Sequence, residues 1–230
     1  MPDSDRWIIK TKRFVAFFDI SGFKDYVLRH SIDDVYDRLL SLNEIKPGKS
    51  REDDFSPEYG SKLIFTAFSD SIFIFTKDNN IENFQHFVLS INRMMRMAFR
   101  AGIPLKGAIA YGEIVVDLEK NLFCGQPITD AYLLEEDLQY MGIVVHHSVE
   151  RIIQKYKEYD LDFSNKIFKE VSTPFKYGKR IHYNLNFKRG LFRIFSTIEK
   201  NIKVQRLETS GDARKYVDNT LEMLKAFEKM

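Results

Sequence analysis

Residues 13–20 read RFVAFFDI, and this stretch decides the architecture. Its apolar residues run almost without a break up to Asp19, so both faces of the segment need cover, as in a central strand. Ser21-Gly22 ends the strand, and a helical pattern begins at Phe23 and runs to His30. A second helix is expected over residues 33–42. Residues 46–60 mix Pro, Gly, Ser and charges without periodicity and read as a loop. Next come two β-rich runs, KLIFTAF at 62–68 and SIFIFT at 71–76, separated by Ser69-Asp70; this is a hairpin with an aspartate at its tip. Apolar residues recur at helical spacing over 81–100, through Phe84, Phe87, Val88, Ile91, Met94, Met95 and Ala98.

Farther out, residues 103–116 (IPLKGAIAYGEIVV) predict a long strand, with glycines where a backbone or ligand can approach closely. A helix is expected over 125–138, a strand over 140–146, and a helix over 148–159 with Ser148 as its N-cap. The order β-α-α-β-β-α-β-α-β is α+β, with a hairpin inserted between helices that cover one face of the sheet. Beyond residue 160 the signal thins to a late strand at 181–187 and a terminal helix at 213–229, striped by Val217, Leu221, Leu224 and Phe227. Neither a repeat nor a linker divides the chain. Residues 1–160 therefore read as a core, and 161–230 as the C-terminal part of the same domain.

Composition narrows the functional classes. The 230 residues are 44% hydrophobic and include 20 phenylalanines, enough for a substantial aromatic-rich core. Charge is balanced, 35 basic against 33 acidic residues, which argues against a bulk nucleic-acid binder. A single cysteine, Cys124, excludes an internal disulfide and suits a reducing compartment. The first residues carry no apolar leader pattern and no window reaches bilayer-spanning length, so a cytoplasmic protein without membrane contact is expected.

The chemistry lies in two carboxylates. Asp19 closes the central strand and Asp70 sits at the hairpin tip, so pairing these elements brings both to one sheet edge. Neighbouring carboxylates repel and desolvate each other, and a bound cation relieves both costs. Oxygen donors suit Mg²⁺ or Mn²⁺, which in turn take phosphate oxygens. Gly22 and Phe23 open a helix whose free N–H groups suit phosphate. Against this stands the ordinary use of Asp as a turn and cap residue.

Four motifs carry a family resemblance. FFDISGF at 17–23 resembles the first metal motif of class III nucleotidyl cyclases, and FSDSIFIF at 68–75 resembles the second. PLKGAIAYGEIVV at 104–116 is similar to their glycine-bearing strand, and CGQPITDAYLLE at 124–135 to the helix that follows. The resemblance implies a ferredoxin-like β-α-β-β-α-β core with a mostly antiparallel sheet and a helical C-terminal extension. It also implies a homodimer with interfacial active sites, a nucleoside triphosphate substrate and two Mn²⁺ or Mg²⁺ ions. By the same resemblance Asp19 and Asp70 are the catalytic metal ligands, the Ile20 carbonyl completes one coordination sphere, and Ser21, Gly22 and Phe23 contact phosphates.

The departures set a subtype. Thr66 stands where purine cyclases carry a base-reading lysine, and Leu122 where they carry a second base reader. Thr129 and Leu133 replace the transition-state asparagine and arginine. Losing a buried polar reader costs a site orders of magnitude in discrimination. The Ser-Asp-Ser hairpin, the GAIAYG strand and the Gly-x-x-Ile-x-x-Ala-Tyr-x-x-Glu helix resemble the pyrimidine cyclases of bacterial antiphage (Pycsar) systems. These signal through cyclic UMP or cyclic CMP to a separately encoded effector. That resemblance implies UTP ahead of CTP, with Tyr26 or Phe23 supplying bulk at the base and Thr66 a hydrogen bond to its edge. Lys106 reads either as a phosphate contact or as a solvated strand-end lysine. The alternatives are a purine cyclase with other base readers, and a catalytically inactive nucleotide-binding regulator.

Other residues read as structural. Adjacent His146 and His147 on a strand point to opposite faces, which disfavours a metal pair. Cys124 reads as a buried packing thiol and Met94, Met95 and Met97 as core or dimer packing. The basic, aromatic stretch 176–189 reads as a solvated or dimer-facing surface.

Overall fold

A computed structural model describes residues 7–45, 62–157, 166–187 and 195–228. The expected loop at 46–60 lies outside the described residues, as do the ends of the 148–159 helix and of the 176–189 basic stretch. One mixed sheet organises the chain, in the order β2-β3-β1-β4-β6-β8-β7, with a short β5 paired to β4. Its strands are β1 (Lys10–Ile20), β2 (Leu63–Phe68), β3 (Ser71–Thr76), β4 (Leu105–Asp117), β5 (Leu122–Cys124), β6 (Ile143–Val145), β7 (Phe168–Phe175) and β8 (Gly178–Leu185). All pairings are antiparallel except β4 with β6. The helices are α1 (Phe23–Arg29), α2 (Ile32–Ile45), α3 (Ile81–Arg100), α4 (Gln126–Asp137), α5 (His147–Lys157), α6 (Phe195–Glu208) and α7 (Gly211–Glu228).

The continuous apolar run in β1 is explained by cover on both sides. Phe14, Ala16, Phe18 and Ile20 enter the main core with Phe84, Phe87, Val88, Ile91, Met94 and Met95 of α3. Val15 and Phe17 face a second cluster containing Phe75, Ala110, Ile114 and Ala131 of α4. The expected single helical face holds for α2, α3, α5 and the C-terminal helices, and α4 is added on the other face. Gly107 of β4 lies beneath the Phe18 ring; a Cβ there would overlap that ring and come within 2.7 Å of the Phe17 carbonyl oxygen.

β7 and β8 form a hairpin that continues the sheet beyond β6, through Val144 opposite Asn184. α6 and α7 return across the main core, burying Ile198, Ile202, Val217, Leu224 and Phe227. Among the described residues, no helix is long and apolar enough to cross a membrane.

Candidate active site

Register brings the site together. Asp19 is opposite Lys106 of β4 on one side and Ser71 of β3 on the other, so Asp70 stands at the same sheet edge. The β2–β3 hairpin turns tightly through Ser69, whose φ of 57° is left-handed and unusual for a residue with a side chain. Asp19 is half-buried. Burial raises its carboxyl above the ordinary aspartate range, the negative Asp70 raises it further, and Lys106 opposes both.

Next to Asp19 the chain leaves the sheet in a fixed turn. The Ser21 N–H donates to the Pro104 carbonyl at 2.8 Å, and the Tyr26 N–H donates to the Gly22 carbonyl at 3.0 Å. Gly22 has φ 77° and ψ 12°, a left-handed conformation that glycine adopts without strain, and no atom approaches its missing Cβ within 4 Å. The turn thus exposes open backbone. Beside it the buried Ser21 Oγ has no hydrogen-bond partner.

Asp19, Ser21 and Gly22 border an open cavity of about 800 Å³ walled by α1, α2 and the C-terminal helices, with Tyr26, Arg38, Lys106 and Tyr216 on its walls; Asp70 lies outside its lining. Arg38 donates to the Gly102 carbonyl at 3.0 Å and lies 4.9 Å from the Tyr26 ring centroid. Ile20 and Phe23 also line the cavity; Phe23 is 5% exposed and rooted in the main core. Thr66 is not brought there. It sits half-buried on β2, opposite Phe73, two strands from Asp19.

Lys106 has a partner that the sequence pattern does not reveal. Its side chain is 10% exposed and its Nζ lies 2.7 Å from Oε1 of Glu135, itself 4% exposed. The approach to Oε1 falls outside hydrogen-bond angles. The directed bond runs from Nζ to the Glu135 backbone carbonyl at 3.2 Å. This corrects the solvated reading of Lys106. Burial pushes the Glu135 carboxyl up to about 7, against the pull of Lys106 and with help from the negative Asp19. A weak sequence signal for Glu135 exists: it stands four residues after Ala131, on the stripe α4 presents to the sheet.

Among the described residues, no three His, Cys, Asp or Glu side chains converge to hold an ion. The carboxylates of Asp19 and Asp70 and the Ile20 carbonyl at this edge are oxygen donors of the kind that suits a cation that keeps water and takes phosphate oxygens, as Mg²⁺ does. The repulsion between Asp19 and Asp70 and the unpartnered Ser21 Oγ fit the same assignment.

No family model matches the chain, and no curated protein matches it in sequence. Solved structures do. The catalytic core of a rhodopsin-guanylyl cyclase with converted specificity, in complex with ATPalphaS, is similar at a TM-score of 0.53 and 15% identity, covering 77% of this chain and 96% of that one. The fold is the class III cyclase fold. An adenylate/guanylate cyclase/hydrolase from Silicibacter pomeroyi is also similar, at a TM-score of 0.48 and 15% identity over 76% of this chain and 96% of that one. So is a class III adenylyl cyclase-like ATP-binding protein from Pseudomonas aeruginosa, at 0.40 and 12% over 94% and 44%.

Three of the four positions that depart from the purine-cyclase motifs face outward from this cyclase fold. Leu122 is 55% exposed on β5 and Leu133 51% exposed on α4, where Thr129 is exposed too. Two structural readings are corrected. Cys124 is exposed, because β5 is a three-residue strand at the margin of the sheet. His146 and His147 do not diverge: β6 ends at Val145, and their rings stand 4.0 Å apart at the start of α5. There Ser148 Oγ lies 2.9 Å from His146 Nδ1 and accepts the Tyr111 N–H at 3.0 Å.

Proposed function

We propose that this chain is a metal-dependent nucleotidyl cyclase that converts a pyrimidine nucleoside triphosphate, UTP ahead of CTP, to its 3′,5′-cyclic monophosphate and pyrophosphate. The observation that carries the reading is the pair Asp19 and Asp70, two mutually repelling carboxylates set at one sheet edge, of which Asp19 borders the cavity with the open Gly22 turn and Asp70 does not. Two Mg²⁺ or Mn²⁺ ions, when bound, supply activation of the ribose 3′-hydroxyl and neutralisation of the leaving pyrophosphate.

The chain's own residues prepare that chemistry. Asp19, Asp70 and the Ile20 carbonyl hold the ions. The peptide of Gly22 and the hydroxyl of Ser21 receive phosphate oxygens. α1, α2 and the C-terminal helices form the walls around the β1–α1 turn. Pyrimidine choice is supported by Thr66 and Leu122, which remove the purine readers, and by Tyr26 on the cavity wall. A homodimer is supported by the large apolar side chains left exposed on β2 and α4, Phe68, Tyr132 and Leu133, which are 86%, 47% and 51% exposed. Residues 1–160 act as the catalytic core, and 161–230 complete the same sheet and its helical cover. The cyclic product serves as a cytoplasmic antiphage signal read by a separate effector.

Asp19→Asn and Asp70→Asn, assayed for pyrophosphate release with Mn²⁺ and UTP, each should lose activity by at least about a thousandfold, while their urea midpoints stay at or above that of the wild type. Retained turnover in either variant excludes the two-carboxylate mechanism.

A further inference from the structure

Lys106 is the strand partner of Asp19, one backbone step across the sheet. A lysine so placed is a natural counter-ion for that aspartate, and a salt bridge between them would occupy the oxygens that a metal needs. The structure shows a different pairing. The ammonium is held 2.7 Å from the Glu135 carboxylate and 3.2 Å from the Glu135 carbonyl, and its Nζ lies 5.9 Å from the Tyr216 ring centroid. Among the described residues it makes its ion pair with Glu135 and not with Asp19. Both side chains are buried, at 10% and 4% exposure, so neither swings freely into solvent.

We infer that Glu135 is a positioning residue: it draws Lys106 off Asp19 and leaves the aspartate free to bind a divalent cation. The inference rests on the cyclase reading and assigns to α4 a role in that site that the metal motifs do not contain. The charges around the ammonium are Asp19 on the adjoining strand, Asp70 beyond it, and Glu135 and Glu136 on α4. Net negative charge at the edge therefore depends on which carboxylate Lys106 neutralises. Residues that orient a metal ligand without touching the ion typically change its affinity by about 10–100-fold.

The order of effects separates this role from a merely structural one. Glu135→Gln removes the competing carboxylate, lets Lys106 turn to Asp19, and weakens cation binding. Lys106→Met removes the competitor and leaves binding equal to or tighter than wild type. In Lys106→Met/Glu135→Gln the loss disappears, because Glu135 acts only through Lys106. A structural pair gives losses in both single variants.

Mn²⁺ binding is measured without nucleotide, by the electron paramagnetic resonance signal of free Mn²⁺, on full-length protein whose folding is confirmed by circular dichroism. Asp19→Asn marks the site. The expected result is about a tenfold weaker Kd in Glu135→Gln and recovery to wild type or better in the double variant. Equal losses in both single variants, or an unrecovered double variant, overturn the inference. If Asp19→Asn loses Mn²⁺ while Glu135→Gln does not change it, this inference alone fails. If the wild type binds no Mn²⁺, the cyclase reading fails with it.

Discussion

Replacing Lys106 by methionine keeps an unbranched side chain, one atom shorter, and strips the charge from a pair whose side chains are 10% and 4% exposed. Glu135 then has no cation to offset its burial. Breaking a buried ion pair by removing one partner costs about 3–5 kcal/mol. In a domain of this size each kcal/mol moves the melting temperature by roughly 2–4 °C, so Tm should fall by about 6–20 °C. The loss also carries a pH signature. The Glu135 carboxyl already titrates near 7 in the folded protein, against an ordinary glutamate value of 4.5, because burial outweighs Lys106. A folded-state value raised above the unfolded one means that the native protein holds a proton the unfolded chain has released. That stability is complete below about 4.5 and is lost as pH climbs through 7. Without Lys106 the native value moves higher still, so Lys106→Met keeps losing stability above pH 7, by up to about 1.4 kcal/mol per unit, where this group no longer affects the wild type. Urea unfolding at several pH values, on both single variants and on Lys106→Met/Glu135→Gln, reads the effect. The double variant should recover to within about 1 kcal/mol of wild type, since a neutral pair of similar volume tolerates the site. A Lys106→Met loss below about 1 kcal/mol at every pH would place the pair with exposed surface bridges and refute the reasoning.

Three further outcomes follow from other parts of the molecule. Asp19→Asn removes a carboxylate that burial and Asp70 both disfavour, so the metal-free variant should be more stable than wild type by about 0.5–2 kcal/mol in urea; a clear destabilisation would contradict the repulsion. Gly107→Ala should cost about 1–3 kcal/mol by pressing on the Phe18 ring and the Phe17 carbonyl, and Phe18→Leu in the same chain should restore part of that loss. His182 is held above its ordinary value first by its hydrogen bond to Glu150, with Nδ1 3.1 Å from Oε1, so its contribution is present below pH 6.5 and fades as pH rises through the folded value. The Tm difference between wild type and His182→Gln should accordingly shrink between pH 6 and pH 8.

Legibility in the sequence follows the strength of local pattern. β1 announces itself because both its faces are covered, and the β2–β3 hairpin because Ser69-Asp70 interrupts two alternating runs. α3 carries twenty residues of unbroken amphipathic spacing and is visible end to end. β7 is not legible, since its FKEVSTPF mixes charges with a proline and gains its place by long-range pairing along β8 and by burying Phe168, Val171 and Phe175 in the main core. α6 escapes for a related reason: its apolar residues are spread around the helix, and among the described residues Ile198 and Ile202 are those it buries in the main core. Three-residue β5 lies below any periodic signal. In the site, Asp19, Asp70 and the Gly22 turn are local features and legible as such. Their cavity is not, because its far wall comes from Tyr216, almost two hundred residues after Asp19. The Lys106–Glu135 pair is hidden likewise, since it depends on α4 crossing the face of the sheet that the sequence pattern leaves bare.

The central claim is the reaction. Purified full-length protein is incubated with Mn²⁺ and each of ATP, GTP, CTP and UTP in turn, and products are identified by chromatography and mass. The account predicts a cyclic pyrimidine monophosphate with equimolar pyrophosphate, from UTP ahead of CTP, abolished in Asp19→Asn. Cyclic AMP or cyclic GMP as the main product would contradict the assignment of the base, and the absence of any cyclic product from all four nucleotides would contradict the cyclase claim itself.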